Sequence, residues 1–163
     1  MSSYYFTIIG TRDNPIYELE FSSFKNGPSS GIPGEARFSP RMKELLPFIS
    51  NASLDIVEDT QWQINGFNLG KVDSFYGVSV NAFITQGNIK LVLCTDSSGP
   101  STNSESILSS VGSKQDESAI RHFFSETYDL YVKALLNPFY SVNDPIVSPD
   151  FDLRVKSMAR KYL

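Results

Sequence analysis

Residues 4–10, YYFTIIG, put apolar side chains on both sides of an extended chain. Tyr4, Phe6 and Ile8 alternate with Tyr5 and Ile9. Successive side chains of a strand point to opposite faces, so this segment cannot lie with one face in water. It reads as a central strand covered on both sides. That requirement shapes the rest of the chain, which must supply neighbouring strands and helices for both faces.

The remaining pattern provides them. Residues 16–21, IYELEF, alternate: Tyr17, Leu19 and Phe21 point one way, Ile16, Glu18 and Glu20 the other. The intervening TRDNP is rich in turn formers and predicts a hairpin. A first helix is expected over KELLPFISNASLDIVEDTQW, with Leu45, Ile49, Ala52 and Ile56 as its apolar stripe. Pro47 fits its first turn or splits off a short preliminary turn. Strands follow near 69–76, 78–86 and 89–95, with breaks at Gly77 and at a two-residue Gly87-Asn88 turn. A long helix is predicted over QDESAIRHFFSETYDLYVKALL, capped by Asp116 or Ser118, with Ile120, Phe124, Thr127, Tyr131, Ala134 and Leu135 on its core face. Val132 and Leu136 stray from that face and are expected to pack on a last helix near 149–162. That helix carries Phe151, Val155, Met158 and Ala159 on one side and cations toward its C-terminus. The order is ββαβββαα: an α+β fold with a five-stranded, mostly antiparallel sheet and helices on both faces. Stretches 22–40 and 96–114, rich in Ser, Gly and Pro, read as mobile surface loops.

At 163 residues the chain suits one domain, 1–163, with a sizeable core. A net charge of −4 gives no electrostatic footprint for nucleic acid. One Cys and one His leave no internal disulfide and no Cys-rich zinc site, and a reducing, cytoplasmic setting fits. No apolar run approaches the ~20 residues of a membrane span, and MSSYYFTIIG lacks the basic start of a signal peptide. Recruitment to membranes would therefore come through partners, without direct insertion.

No catalytic constellation is present. There is no Gly-rich phosphate loop with a Lys and no His pair at metal spacing. His122 stands beside Phe123 and Phe124 without a sequence-level partner, and Cys94 lies in an apolar strand where a thiol behaves as a small hydrophobe. Glu18 and Glu20, and the Asp55, Glu58, Asp59 cluster, read as solvated faces. The expectation is a non-enzyme without cofactor or metal.

Two Asn-Pro-x-Tyr stretches, NPIY at 14–17 and NPFY at 137–140, have the form of adaptor-binding signals. Neither sits in a free tail. The first starts a strand, with Tyr17 on the side of Leu19 and Phe21. The second ends the long helix at Pro138. Both read as stops in a fold.

The segments FTIIGTRDNPIYELEF, LPFISNASLDIVEDTQWQ, KVDSFYGVSVNAFIT and FFSETYDLYVKALLNPFYSVNDPIVSPDFDLRVKSMARKYL resemble, in order, the sedlin family of small subunits of TRAPP vesicle-tethering complexes. The loops near 22–40 and 96–114 fall outside the resemblance. It implies a longin-like (profilin-like) α-β-α sandwich and an adaptor role among other TRAPP subunits. It also implies ER-to-Golgi and Golgi traffic at the cytoplasmic side of those membranes, an indirect link to a Rab GTPase through the exchange activity of the complex, and autophagy. Other readings are a different longin-fold trafficking subunit, such as a small adaptor-coat subunit, or a small-molecule-binding module. A longin SNARE would need a following heptad helix and anchor.

An adaptor needs surfaces that a lone domain does not. At ~100° per residue, Leu54 falls nearly opposite the Leu45/Ile49/Ile56 stripe. That position fits an interface anchor as well as a scattered exposed apolar residue. Asp55 lies at the flank, near Phe48, Asn51 and Trp62, within the resembling ASLDIVED segment, which implies partner binding there. The second candidate is the strand 69–76, where Lys71, Asp73 and Phe75 share one face; longin-like pairing would use that edge and the first helix.

Overall fold

The structure, a computed structural model, describes residues 2–24, 38–96 and 109–163, the last segment with side chains from Asp116 onward. The elements are β1 (Ser3–Ile9), β2 (Pro15–Ser22), α1 (Pro40–Ala52), α2 (Leu54–Thr60), β3 (Asn68–Phe75), β4 (Val78–Ile84), β5 (Lys90–Asp96), α3 (Ser109–Leu135) and α4 (Pro149–Tyr162). The order is thus ββααβββαα, because the expected first helix is divided at Ser53. The five strands form one antiparallel sheet in the order β2-β1-β5-β4-β3. Most of the two expected loops lies outside the described residues; the C-terminal part of the second belongs instead to α3, which begins at Ser109.

β1 is buried along its whole length, as its two-faced apolar pattern requires. Its Tyr4, Phe6 and Ile8 join Tyr17, Leu19 and Phe21 of β2 and Leu91 and Leu93 of β5 under α3 and α4. Phe6 meets Phe123 edge-on, with centroids 5.2 Å apart, a geometry worth about 0.5–1.5 kcal/mol beyond area burial. The opposite face gathers Tyr5, Ile9, Val78, Val80, Val92 and Cys94 against Leu46, Ile49 and Leu54 of the first helices. Val57, Leu69, Ala82 and Ile84 continue this layer. The result is the α-β-α sandwich expected from the sequence.

Helix α3 begins upstream of Asp116 and Ser118, so neither residue caps it. Phe123, Phe124, Thr127, Leu130 and Tyr131 form its buried face; Leu135 is exposed, and so is Leu136 just beyond the helix. Leu136 therefore does not pack on α4 as expected. The chain leaves the helix at this point, and Asn137 accepts through Oδ1 from Phe139 N in a side-chain turn that stops it. α4 matches its prediction. Ser148 caps it by accepting from Phe151 N, Asp150 and Asp152 lie in its first turn, and Arg160 and Lys161 lie in its last. The turn between β4 and β5 spans Gln86–Asn88, one residue longer than expected, with Asn88 in the left-handed region.

The turn after β1 is clamped from two sides. Asn143, in the α3–α4 connector, accepts from Thr11 N at 2.7 Å, and Asn14 donates back to Asn143 O. Gly10 sits under this clamp: a Cβ there would collide with the side-chain oxygens of Asn143 and Asn14. On the other side Lys90, only 2% exposed, donates to Asp13 at 3.1 Å. A buried ammonium requires its counter-charge, whereas a half-exposed carboxylate has water. Asp13→Asn is therefore expected to cost about 2 kcal/mol, below the ~3–5 kcal/mol of a fully buried broken pair, and Lys90→Met less than about 1 kcal/mol. Urea melts of the two variants check this asymmetry.

Tyr17, of the first Asn-Pro-x-Tyr stretch, is buried as expected and donates to Asp152 of α4 at 2.8 Å. Partial burial pushes the Asp152 carboxyl up, but hydrogen bonds from Lys156 and Tyr17 outweigh it and hold the group below its ordinary 3.8. The ionised form is thus favoured by folding, and its contribution is present above pH 3.8 and lost as pH falls through the lowered native value. Tyr17→Phe is expected to cost about 1 kcal/mol at neutral pH. The difference in melting temperature from the parent should narrow on acidification below pH 3.8.

Candidate partner-binding surface

The first helices present their faces in a phase different from that expected. Leu46, Ile49, Ser50, Ser53, Leu54 and Val57 are buried, spaced alternately by three and one. Two of the six are serines, which is why an apolar count misses the stripe. Each hydroxyl is satisfied within the helix: Ser50 Oγ donates to Pro47 O and Ser53 Oγ to Ile49 O. Back-bonded serines are small enough to face the sheet without an orphan donor. Ser53 keeps right-handed helical dihedrals, so α2 continues the phase of α1.

This places Leu54 in the core at 4% exposure, against Val78, Val80 and their neighbours. It is not an exposed anchor. Ala52 and Ile56, expected inside, are exposed. The outward stripe instead runs through Phe48, Ala52, Asp55, Asp59 and Trp62, spaced four, three, four and three. Phe48 is 61% exposed and Trp62 84%. Asp55 stands between these rings along the helix, exposed, and no hydrogen bond or ion pair engages it among the described residues.

The adjoining edge strand, β3, carries two register shifts, one between Asn68 and Gly70 and one between Lys71 and Asp73. Gly70 takes φ +70, a conformation that favours glycine. The second shift changes the expected face. Lys71 lies opposite Asn81, but Asp73 lies opposite Val80, and adjacent residues of β4 point to opposite sides. Asp73 and Phe75 therefore share the side of α1 and α2, while Lys71 is on the α3 side. Asp73 is half-buried, where it accepts from Ser74 N at 2.7 Å and lies 3.3 Å from Ser53 Oγ, whose one proton is shared with the nearer Ile49 O. Phe75 is exposed beside Tyr76, with centroids 4.4 Å apart, at a tight turn where Tyr76 and Gly77 both have positive φ.

A second apolar surface, not foreseen from the sequence, lies where α3 ends and α4 begins. Phe139 is 93% exposed and Val147 86% exposed beside a groove of about 570 Å³ floored by Leu130, Ala134 and Phe151. Its only signal in the sequence was apolar residues in a connector that has no strand or helix to bury them.

No nucleophile or metal centre emerges among the described residues. Burial pushes the Cys94 thiol up to about 12, so it stays protonated. His122 is exposed and stacks on Tyr162. No group of three metal-ligating side chains occurs among the described residues, and no helix of them is long and apolar enough to cross a membrane.

The sedlin family profile matches residues 8–161. Trafficking protein particle complex subunit 20 of Saccharomyces cerevisiae is 42% identical, across 98% of this chain and 97% of the relative. Probable trafficking protein particle complex subunit 2 of Drosophila melanogaster is 37% identical, over 100% and 99%. The transport protein particle 20 kDa subunit of Schizosaccharomyces pombe is 36% identical, over 98% of both. With a match of this extent at both the family and the single-protein level, the chain belongs to the sedlin family.

Proposed function

We propose that this chain is a non-catalytic assembly subunit of a TRAPP-type tethering complex, acting among other subunits of that complex. The relatives matched along nearly their whole length are named as trafficking particle subunits, which supports the reading. In this proposal the complex serves ER-to-Golgi and Golgi traffic, and autophagy, from the cytoplasmic side of those membranes. Its exchange activity toward a Rab GTPase resides in other subunits.

The observation that carries an adaptor role is the outward stripe of α1 and α2. The fold makes no use of the rings of Phe48 and Trp62, although their inward neighbours Leu46, Ile49, Leu54 and Val57 are fully packed. Aromatic side chains around a polar group are the usual composition of an interface centre. Asp55 and Trp62 are the proposed contacts. Asp73 and Phe75 extend the same side, and Lys71 would reach only a partner that wraps around the edge. The bulges in β3 disfavour extension of the sheet by a partner strand, so side chains, rather than a shared ladder, carry the contact.

Asp55→Ala and Trp62→Ala should each leave the melting temperature nearly unchanged, since surface changes of this kind stay within about 0.5 kcal/mol. Each should weaken assembly at least about tenfold, the equivalent of 1.4 kcal/mol. Capture of each variant from cells, with the co-purifying subunits weighed and counted, reads the effect. Unchanged subunit stoichiometry overturns the assignment of this surface. A Leu54→Ala control should instead destabilise the fold by about 2–5 kcal/mol.

A further inference from the structure

A recess of about 240 Å³ opens between α1 and the β1–β2 end of the sheet, apart from the outward stripe. Ile9, Pro15 and Pro47 give it apolar walls, and Thr7, Asp13, Glu18, Ser50 and Asn51 give it polar groups. Thr7 is 1% exposed, and its Oγ1 is buried without a hydrogen-bond partner. Such a group is unfavourable unless something meets it.

The charges around the recess do not balance. Asp13 is matched by Lys90 at 3.1 Å, and Glu20 by Lys43 at 3.5 Å. Glu18 has no cation among the described residues. It accepts at 2.6 Å from the neutral hydroxyl of Tyr5. One negative charge is left over, at a site whose lining also holds a buried hydroxyl. A bound anion is disfavoured, and no group of three metal-ligating side chains is present among the described residues. A guanidinium prefers two coplanar acceptors on one carboxylate. Separate acceptors, one a hydroxyl and one a carboxylate, suit the diverging N–H bonds of an ammonium.

We propose that this recess binds a single primary ammonium on an alkyl stem, the chemistry of a lysine side chain from a partner protein. The ammonium lies between Thr7 Oγ1 and the Glu18 carboxylate, and the stem lies against Pro15 and Pro47. One uncompensated charge matches a monocation. A free diamine would leave its second charge unmatched.

The test is an NMR titration of the full chain with Nα-acetyl-lysine methylamide, the norleucine analogue of the same stem without the ammonium, and putrescine. Saturable shifts are expected at Thr7, Ser50 and Asn51 with the lysine compound, with Kd on the order of 1 mM. The norleucine analogue should give none and putrescine should bind no more tightly. Glu18→Gln keeps an acceptor for Tyr5 and should weaken binding about tenfold; Thr7→Val should weaken it severalfold. Equal shifts with norleucine, or no saturable shift with the lysine compound, overturn the proposal without recourse to any variant. Tighter binding of putrescine overturns the lysine assignment. Affinity unchanged in a folded Glu18→Gln variant overturns the proposed charge pairing.

Discussion

Two adjacent strands, β1 and β5, are apolar toward both faces of the sheet, and the rest of the architecture answers that fact. A strand of this kind would expose a row of large side chains on whichever face remained open, at about 25 cal/mol for each Å² of apolar surface. On one side α3 and α4 roof a mixed layer rich in rings, among them Tyr4, Phe6 and Phe21, together with Ile8, Leu91 and Leu93. On the other, beneath α1 and α2, the layer is mostly aliphatic, with Tyr5 and Phe38 as its rings. The buried ammonium of Lys90 lies at the end of β5, where the turn carrying Asp13 reaches it.

Because the inner faces of the first helices are committed to the sheet, their outer faces are left over for other work. Serines 50 and 53 make this division possible. Bulkier residues there would hold the helices off β4 and β5. These two fold their hydroxyls onto Pro47 O and Ile49 O and let Leu46, Leu54 and Val57 reach the strands. What remains outside is an acidic surface with exposed rings at Phe48 and Trp62, on a chain that belongs to a family of complex subunits. The division between packed and unused surface is the observation on which the proposed adaptor role rests.

The elements and their order could be read from the chain because they depend on local period and turn chemistry. A run apolar on both faces marked β1, alternation marked β2, Asn-Pro and Gly marked the turns, and a cation-rich end marked α4. The rotational phase of α1 and α2 was not readable in the same way. Ser50 and Ser53 count as polar in any pattern, yet they are buried once a carbonyl one turn back accepts their proton. Leu54 was misplaced for that reason. Lys71 was misplaced for another: a bulge moves one side chain to the other face without changing the composition of the strand, so alternation alone could not reveal it.

The sequence by itself determined a two-roofed antiparallel sheet, the membership of Tyr17 in its core, and the reading of both Asn-Pro-x-Tyr stretches as stops in the chain. Only the tertiary structure decided which residues of α1 and α2 face outward and on which side of β3 each polar group lies. It alone joined Thr7 of β1, Glu18 of β2 and Asn51 of α1 around one recess. The physical reason is the range of the forces involved. Strand and helix propensities act over a few residues, whereas facing, bulges and shared cavities depend on contacts between segments far apart in the chain.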